Sequence, residues 1–296
     1  MKRYQTMILA CLGIFCLAFT PAAREGMPDN ICVMTFNVRF DNPDDGINAW
    51  PERRLLVKEL LKRHQPDLIG LQEGLKHQIT EIEQDLSGYA WTGVGRDDGQ
   101  ESGEYAAVFY RADRFEVIET NNFWLSETPE KPGSMGWDAA CVRVVTWVKL
   151  HDNQANRTLF LFNTHFDHFG EEARQNSVSL LKKMISDITR NDAVIVTGDF
   201  NLTPDSDLYS RLTDAGQSGG LILRDTRSQT ISEPVGPSWT FHGFGMTADR
   251  PRLDYIFINN KFTVNRHITI DSEFKDPYPS DHLPVMTLLS WADEAP

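Results

Sequence analysis

Short, dense apolar runs alternate with longer mixed segments along this chain, and most of the runs stop at a polar residue. Ala193-Val194-Ile195-Val196 leads into Thr197-Gly198-Asp199-Phe200-Asn201, and Leu68-Ile69-Gly70-Leu71 leads into Gln72-Glu73. Apolar runs this short, bounded by turn residues, predict buried strands. The pattern places strands at 31–40, 67–73, 89–94, 105–111, 115–123, 142–150, 158–164, 193–199, 253–259, 262–270 and 283–289. Three pairs read as hairpins: 105–111 with 115–123, 142–150 with 158–164, and 253–259 with 262–270 around Asn259-Asn260.

Helical periodicity fills much of the space between. Pro51 opens a helix that Pro66 stops, with Leu55, Leu56, Val57, Leu60 and Leu61 as its apolar face and Arg53, Arg54, Lys58 and Lys62 as its wet one. Further helices are expected at 76–86, 171–189 and 206–215. The loops 41–48, 96–104 and 126–139 are polar and rich in Gly or Pro, and the two longer ones have the length at which loops carry function. No repeat or linker interrupts the alternation, so residues 24–296 are expected to form a single domain.

Composition narrows the partners. The 296 residues are 41% hydrophobic and carry a net charge of −13. Such an acidic balance argues against a broad basic groove for long nucleic acid. Lys2 and Arg3, the apolar run Met7–Phe19 and the small residues up to Ala23 read as a signal peptide over 1–23. Export to the periplasm or the exterior is expected. The run is too short for stable membrane insertion, and nothing in the chain calls for an obligate protein partner. Cys32 and Cys141 are expected as buried thiols more than as a disulfide.

The chemistry lies at the strand ends. Asn37, Glu73, His165, Asp199 with Asn201, Asp254, and Asp281 with His282 all follow or flank apolar runs. Residues two apart on an extended chain share a face, so Asp199 and Asn201 point into one crevice. A carboxylate there can take a proton from water while the amide orients it. Carboxylate and amide oxygens together suit a hard divalent cation, Mg²⁺ or Mn²⁺. Zinc spacing, a Walker loop and a Gly-x-Ser-x-Gly elbow are absent from the sequence. Arg39, Arg111 and Arg143 lie at or inside strand-like runs and are candidates for phosphate contact, while Trp239 and Phe241 are candidates for stacking on a base or sugar.

In order, T-F-N-V-R, L-Q-E, N-T-H-F-D-H, T-G-D-F-N, L-D-Y-I-F and S-D-H-L-P-V resemble the motifs of the endonuclease/exonuclease/phosphatase superfamily over about Ile31 to Leu289. The stretch W-T-F-H-G-F is most similar to secreted bacterial members near the deadenylase branch. The resemblance implies an α+β fold, a four-layer α/β/β/α sandwich of two packed mixed sheets with outer helices. It implies Glu73 as the principal metal ligand with Asn37 and Asp281 nearby, Asp199 as activator of the attacking water, and Asn201 as its orienting partner. It further implies His165 on the scissile phosphate, His282 on the phosphoryl oxygens or leaving group, and Asp254 fixing the tautomer of His282. The expected activity is metal-dependent hydrolysis of a phosphodiester, such as a nucleic-acid end cut from its terminus. The alternative is a phosphatase for a small sugar or lipid phosphate. A non-catalytic binding module ranks lower, because Glu73, Asp199, Asn201 and His282 are all retained.

Overall fold

The computed structural model describes residues 30–214, 221–271 and 278–292. The leader at 1–23 lies outside them. The strands are β1 (Ile31–Asn37), β2 (Leu68–Gln72), β3 (Tyr89–Thr92), β4 (Ala107–Arg111), β5 (Phe115–Trp124) and β6 (Val144–Asp152). They continue as β7 (Arg157–His165), β8 (Ala193–Asp199), β9 (Arg224–Asp225), β10 (Asp254–Ile258), β11 (Phe262–Thr269) and β12 (Val285–Trp291). One sheet has the order β11-β12-β1-β2-β4-β3 and the other β5-β6-β7-β8-β10-β9. Both are mixed: β1 runs parallel to β2 and β7 parallel to β8, while the other pairings between these strands and their neighbours are antiparallel.

The layers follow from which alternate residues each strand turns outward. Cys32, Met34 and Phe36 of β1 leave the first sheet on the side covered by α1 (Trp50–His64) and α2 (Lys76–Asp85), where Val57, Leu60, Leu61, Ile79 and Ile82 meet them. Val194 and Val196 of β8 leave the second sheet on the side of α3 (Glu171–Thr189), against Val178, Leu181 and Ile185. The intervening residues Ile31, Val33, Leu68, Leu159, Leu161 and Ile195 fill the space between the sheets. This is the expected four-layer sandwich. Among the described residues no helix is long and apolar enough to cross a membrane.

Two of the three expected hairpins are absent. β4 pairs with β2 and β3, whereas β5 pairs with β6 in the other sheet. β10 pairs with β8 and β9, whereas β11 pairs with β12. At both places the chain changes sheets through a short connection, and Arg114 anchors the first by gripping Asp152 at 2.8 Å and Asp67 at 3.2 Å. The β6–β7 hairpin forms as expected.

Cys32 and Cys141 both carry thiols, the first in the core of β1 and the second half-buried. Helix α1 corrects a second expectation. Leu55 is exposed, and Arg53, placed by its charge on the wet face, is completely buried.

Candidate active site

The inward-facing positions of the central strands change from apolar to polar along their length. β1 runs Ile31, Val33, Thr35, Asn37; β2 runs Leu68, Gly70, Gln72; β7 runs Leu159, Leu161, Asn163, His165; β8 runs Ala193, Ile195, Thr197, Asp199. β10 reads the same way in reverse, with Asp254 opposite Asp199. The apolar half is the inter-sheet core. The next layer is a polar network: Gln72 Nε2 donates to Thr35 Oγ1 and Asn163 Oδ1, and Thr197 Oγ1 donates to the same Asn163 oxygen. Gly70 lets the sheets approach there, since a Cβ on it would fall 2.1 Å from Thr197 Oγ1. Above this layer the strand ends open into a crevice of about 480 Å³ whose walls include Arg39, Glu73, Arg96, Glu104, Arg143, His165, Asp199, Asn201, Phe241, Asp281 and His282.

The chain bends sharply to present these groups. Arg39, Glu73 and Asn201 all have left-handed backbones, with φ of 56°, 67° and 48°. Such conformations are uncommon for non-glycine residues and concentrate at functional sites.

Asp199 is the centre. Its Oδ2 accepts from Asn37 Nδ2 at 3.0 Å and lies 3.5 Å from His165 Nε2 and 3.7 Å from His282 Nε2. Its Oδ1 accepts from the Asn201 backbone N–H. Burial, and then the negative charge of Asp254, push the Asp199 carboxyl up to about 7, with His282 and Asn37 opposing. Behind His282, Nδ1 meets Asp254 Oδ2 at 2.8 Å, both buried. Burial alone would lower the His282 imidazole, but Asp254 and Asp199 raise it well above its ordinary value, so it carries a proton and a positive charge. His165 goes the other way: burial, then Arg143 and Arg96, hold it well below the ordinary range and keep it neutral. Asn201 Nδ2 lies 3.1 Å from His165 Nε2 and donates to the Phe166 carbonyl. With Nε2 accepting, the His165 proton sits on Nδ1, 3.9 Å from Glu104 Oε2.

The donor set fits a hard divalent cation. Burial raises the Asp281 carboxyl, and the nearby Glu73 raises it further. Glu104 is pushed up to about 7 by burial and by the same Glu73. A cation preferring oxygen donors would relieve the repulsion that Glu73 exerts on these carboxylates. Ligating atoms of Glu73, His165 and Asp199 lie within 4.8 Å of one another. Glu73 is the carboxylate of that set that could hold the ion, and Asp281, near enough for Glu73 to raise it, could join it.

Asn37, expected beside them as a ligand, lies between Glu73 and Asp199. Its Oδ1 accepts from the Arg39 N–H, and its Nδ2 donates to Glu73 Oε1 at 2.9 Å and to Asp199. The opposite amide orientation would set an oxygen against two carboxylates. Asn37 is therefore a brace between Glu73 and Asp199.

Of the residues expected to touch substrate, Arg39, Arg143 and Phe241 line the crevice. Arg111 does not. Its N–H bonds to Asp67 O at the start of β2, the end opposite Glu73, and its side chain pairs with Asp113 at 2.5 Å. Trp239 is also outside, its ring covered by the Arg250 guanidinium at 4.6 Å and set edge-on to His242. Asp254, two residues after Arg252, leaves that arginine to Asp225 at 2.6 Å. Three groups were not anticipated. Arg96 and Glu104 form a 2.6 Å ion pair at the crevice wall, and Cys141 lies beside it. Opposite charges at the two ends of the Gly-rich loop 96–104 were the one trace of this pair in the sequence.

Comparison with known proteins agrees with this geometry. Residues 34–282 match the model of the endonuclease/exonuclease/phosphatase family. An endonuclease/exonuclease/phosphatase from Bacteroides vulgatus superimposes with a TM-score of 0.84 at 38% identity, over 89% of this chain and 99% of that one. A mannosyl-6-phosphatase from Bacteroides thetaiotaomicron superimposes with a TM-score of 0.80 at 32% identity, over 88% and 100%. Human Nocturnin is 23% identical over 272 residues, 83% of this chain and 59% of that protein. With a family model spanning most of its length and the strand-end residues gathered in one crevice, the chain belongs to the endonuclease/exonuclease/phosphatase family, whose members hydrolyse phosphate esters with divalent metal.

Proposed function

We propose that the chain is a Mg²⁺- or Mn²⁺-dependent phosphomonoesterase for a small phosphorylated compound, with a hexose 6-phosphate as the first chemistry to test. The observation that carries this reading is the state of the crevice arginines. Arg39 pairs with Asp45 at 2.9 Å, Arg96 with Glu104 at 2.6 Å and Arg143 with Asp167 at 3.3 Å. A nuclease that tracks a strand needs several basic side chains for successive phosphates. Here each arginine is already matched by an acid, in a chain of net charge −13, which favours one phosphate over many. The crevice volume is that of a small-ligand site, and the likeness to a mannosyl-6-phosphatase along nearly the whole of both chains supports the same class.

In this reading Asp199, poised near neutrality by burial and Asp254, takes a proton from water as the water oxygen attacks phosphorus. Asn201, with its two amide protons on His165 Nε2 and the Phe166 carbonyl, fixes the neutral His165 ring beside Asp199. The P–O bond to the alcohol breaks, and His282, held protonated by Asp254, gives its proton to the departing oxygen. Glu73 and Asp281 would hold a divalent ion, which when bound would supply positive charge against the phosphoryl group, a contribution of several kcal/mol in such sites. Export through the 1–23 leader is part of the proposal, and sequencing the N-terminus of the mature protein tests it.

The activity is tested by phosphate release from a panel of hexose phosphates, nucleotides, phosphodiesters and oligonucleotides, with chelator and after Mg²⁺ is restored. The reading expects chelator-sensitive release from small monoesters. Cleavage confined to oligonucleotides would return the nucleic-acid end to first place.

A further inference from the structure

Arg53 has no part in the chemistry just described, yet it is completely buried on α1. A buried guanidinium normally meets a carboxylate. Among the described residues, the hydrogen bonds of this one all end on backbone carbonyls. Nε donates to Asn48 O at 2.7 Å. Nη2 donates to Arg39 O at 2.7 Å and reaches Phe40 O at 3.4 Å. Nη1 donates both to Val38 O and, at 3.0 Å, to Pro279 O. The guanidinium lies between the rings of Trp50 at 5.3 Å and Phe244 at 5.8 Å.

These carbonyls belong to segments that carry the cation site. Val38 and Arg39 follow Asn37, the brace on Glu73. Pro279 lies two residues before Asp281. A single nitrogen, Nη1, therefore joins the β1 end to the segment that delivers the second carboxylate. A parallel tie, Ser280 Oγ to Asn37 O at 2.6 Å, runs beside it. Arg53 supplies both a fixed clamp and a buried positive charge that acts on Asp281, Asp45 and Glu73.

We propose that Arg53 is a positioning residue for the divalent cation: it holds the Asp281 segment against the β1 end so that Asp281 and Glu73 face one ion. Lysine cannot reproduce this. Its three donors radiate from one nitrogen, whereas the planar fork reaches carbonyls on both sides of the guanidinium. The inference rests on the cation site of the proposed function, and its test separates the two.

Calorimetric Mg²⁺ binding, without substrate, is compared for the wild type, Arg53→Lys, Arg53→Ala and Glu73→Gln, with urea unfolding of each. The proposal expects cooperative unfolding in both Arg53 variants, Mg²⁺ affinity weakened about 10- to 100-fold, and partial recovery in Arg53→Ala when free guanidinium is added at low concentration. Turnover in Arg53→Lys at saturating Mg²⁺ should stay within about 3-fold of wild type, since the reacting groups are untouched. Wild-type Mg²⁺ affinity in either folded Arg53 variant overturns the proposal. Failure of both to fold also overturns it, since Arg53 would then be a scaffold residue. If Glu73→Gln binds Mg²⁺ like the wild type, the cation site itself is wrong.

Discussion

His282 Nδ1 and Asp254 Oδ2 lie 2.8 Å apart, and the other ring nitrogen points at Asp199 Oδ2 from 3.7 Å. One imidazolium therefore bridges two buried carboxylates on adjacent strands, β8 and β10. Asp254→Asn is expected to lower kcat by about 10²-fold or more, the scale of a general acid–base contribution. His282→Ala should do the same, and the double variant should cost little more than His282→Ala alone, because the two act as a unit. Steady-state kinetics on the four proteins checks this; additive losses would separate Asp254 from His282.

Divalent cation should stabilise the fold through the same crowded acids. Melting in Mg²⁺ at about 100 times its Kd should gain about 2.7 kcal/mol over the chelated protein, the mass-action value for one site. Glu73→Gln should melt alike in both conditions. A wild-type melting temperature indifferent to Mg²⁺ and Mn²⁺ would leave Glu73 and Asp281 without an ion.

The polar end of the inner strand faces was readable because strand periodicity is strict. Asp199 follows Thr197 and Ile195 on one face, and Asn37 follows Thr35 and Val33. What sequence could not convey was which sheet a strand joins. Residues 105–123 and 253–270 each look like a hairpin because two β-rich runs flank a short turn, yet the partner of each run is set by packing far along the chain. Arg53 was misplaced for a related reason. Positive charge on a helix favours solvent unless carbonyls from distant loops gather around it, and that gathering is a tertiary event. Asn37 was recognised as a site residue, but the direction of its amide depends on the Arg39 N–H and on two carboxylates, one of them 162 residues away.

Gly70 supplies a packing test. An alanine Cβ there would meet Thr197 Oγ1 at 2.1 Å and Asn163 Oδ1 at 2.5 Å, both already engaged in the network beneath the crevice. Gly70→Ala should destabilise the protein by about 1–3 kcal/mol, the usual cost of overpacking, and lower the urea midpoint. An unchanged midpoint would mean that the sheets can separate there without loss.

Stability should fall in mild acid through His267. Its ring is buried, Nδ1 meets Thr226 Oγ1 at 3.0 Å, and burial followed by the charge of Arg252 lowers it to about 3. An unfolded histidine titrates near about 6.5. Below that pH the unfolded chain takes up a proton that the folded chain refuses, so this contribution is complete above about 6.5 and is lost as the pH falls toward about 3. Urea unfolding at pH 5 and pH 7.5 should show a smaller difference for His267→Gln than for wild type. An equal difference would assign the acid loss elsewhere.

The most direct test of the account is the ratio of kcat/KM for a hexose 6-phosphate to that for a short oligonucleotide, measured in Mg²⁺ over a range of salt. A small ester bound by one phosphate should be preferred, with a shallow salt slope, because the crevice arginines are already matched by Asp45, Glu104 and Asp167. Preference for the oligonucleotide with a steep fall in salt would contradict it, and would mean that these pairs open to form a track for successive phosphates.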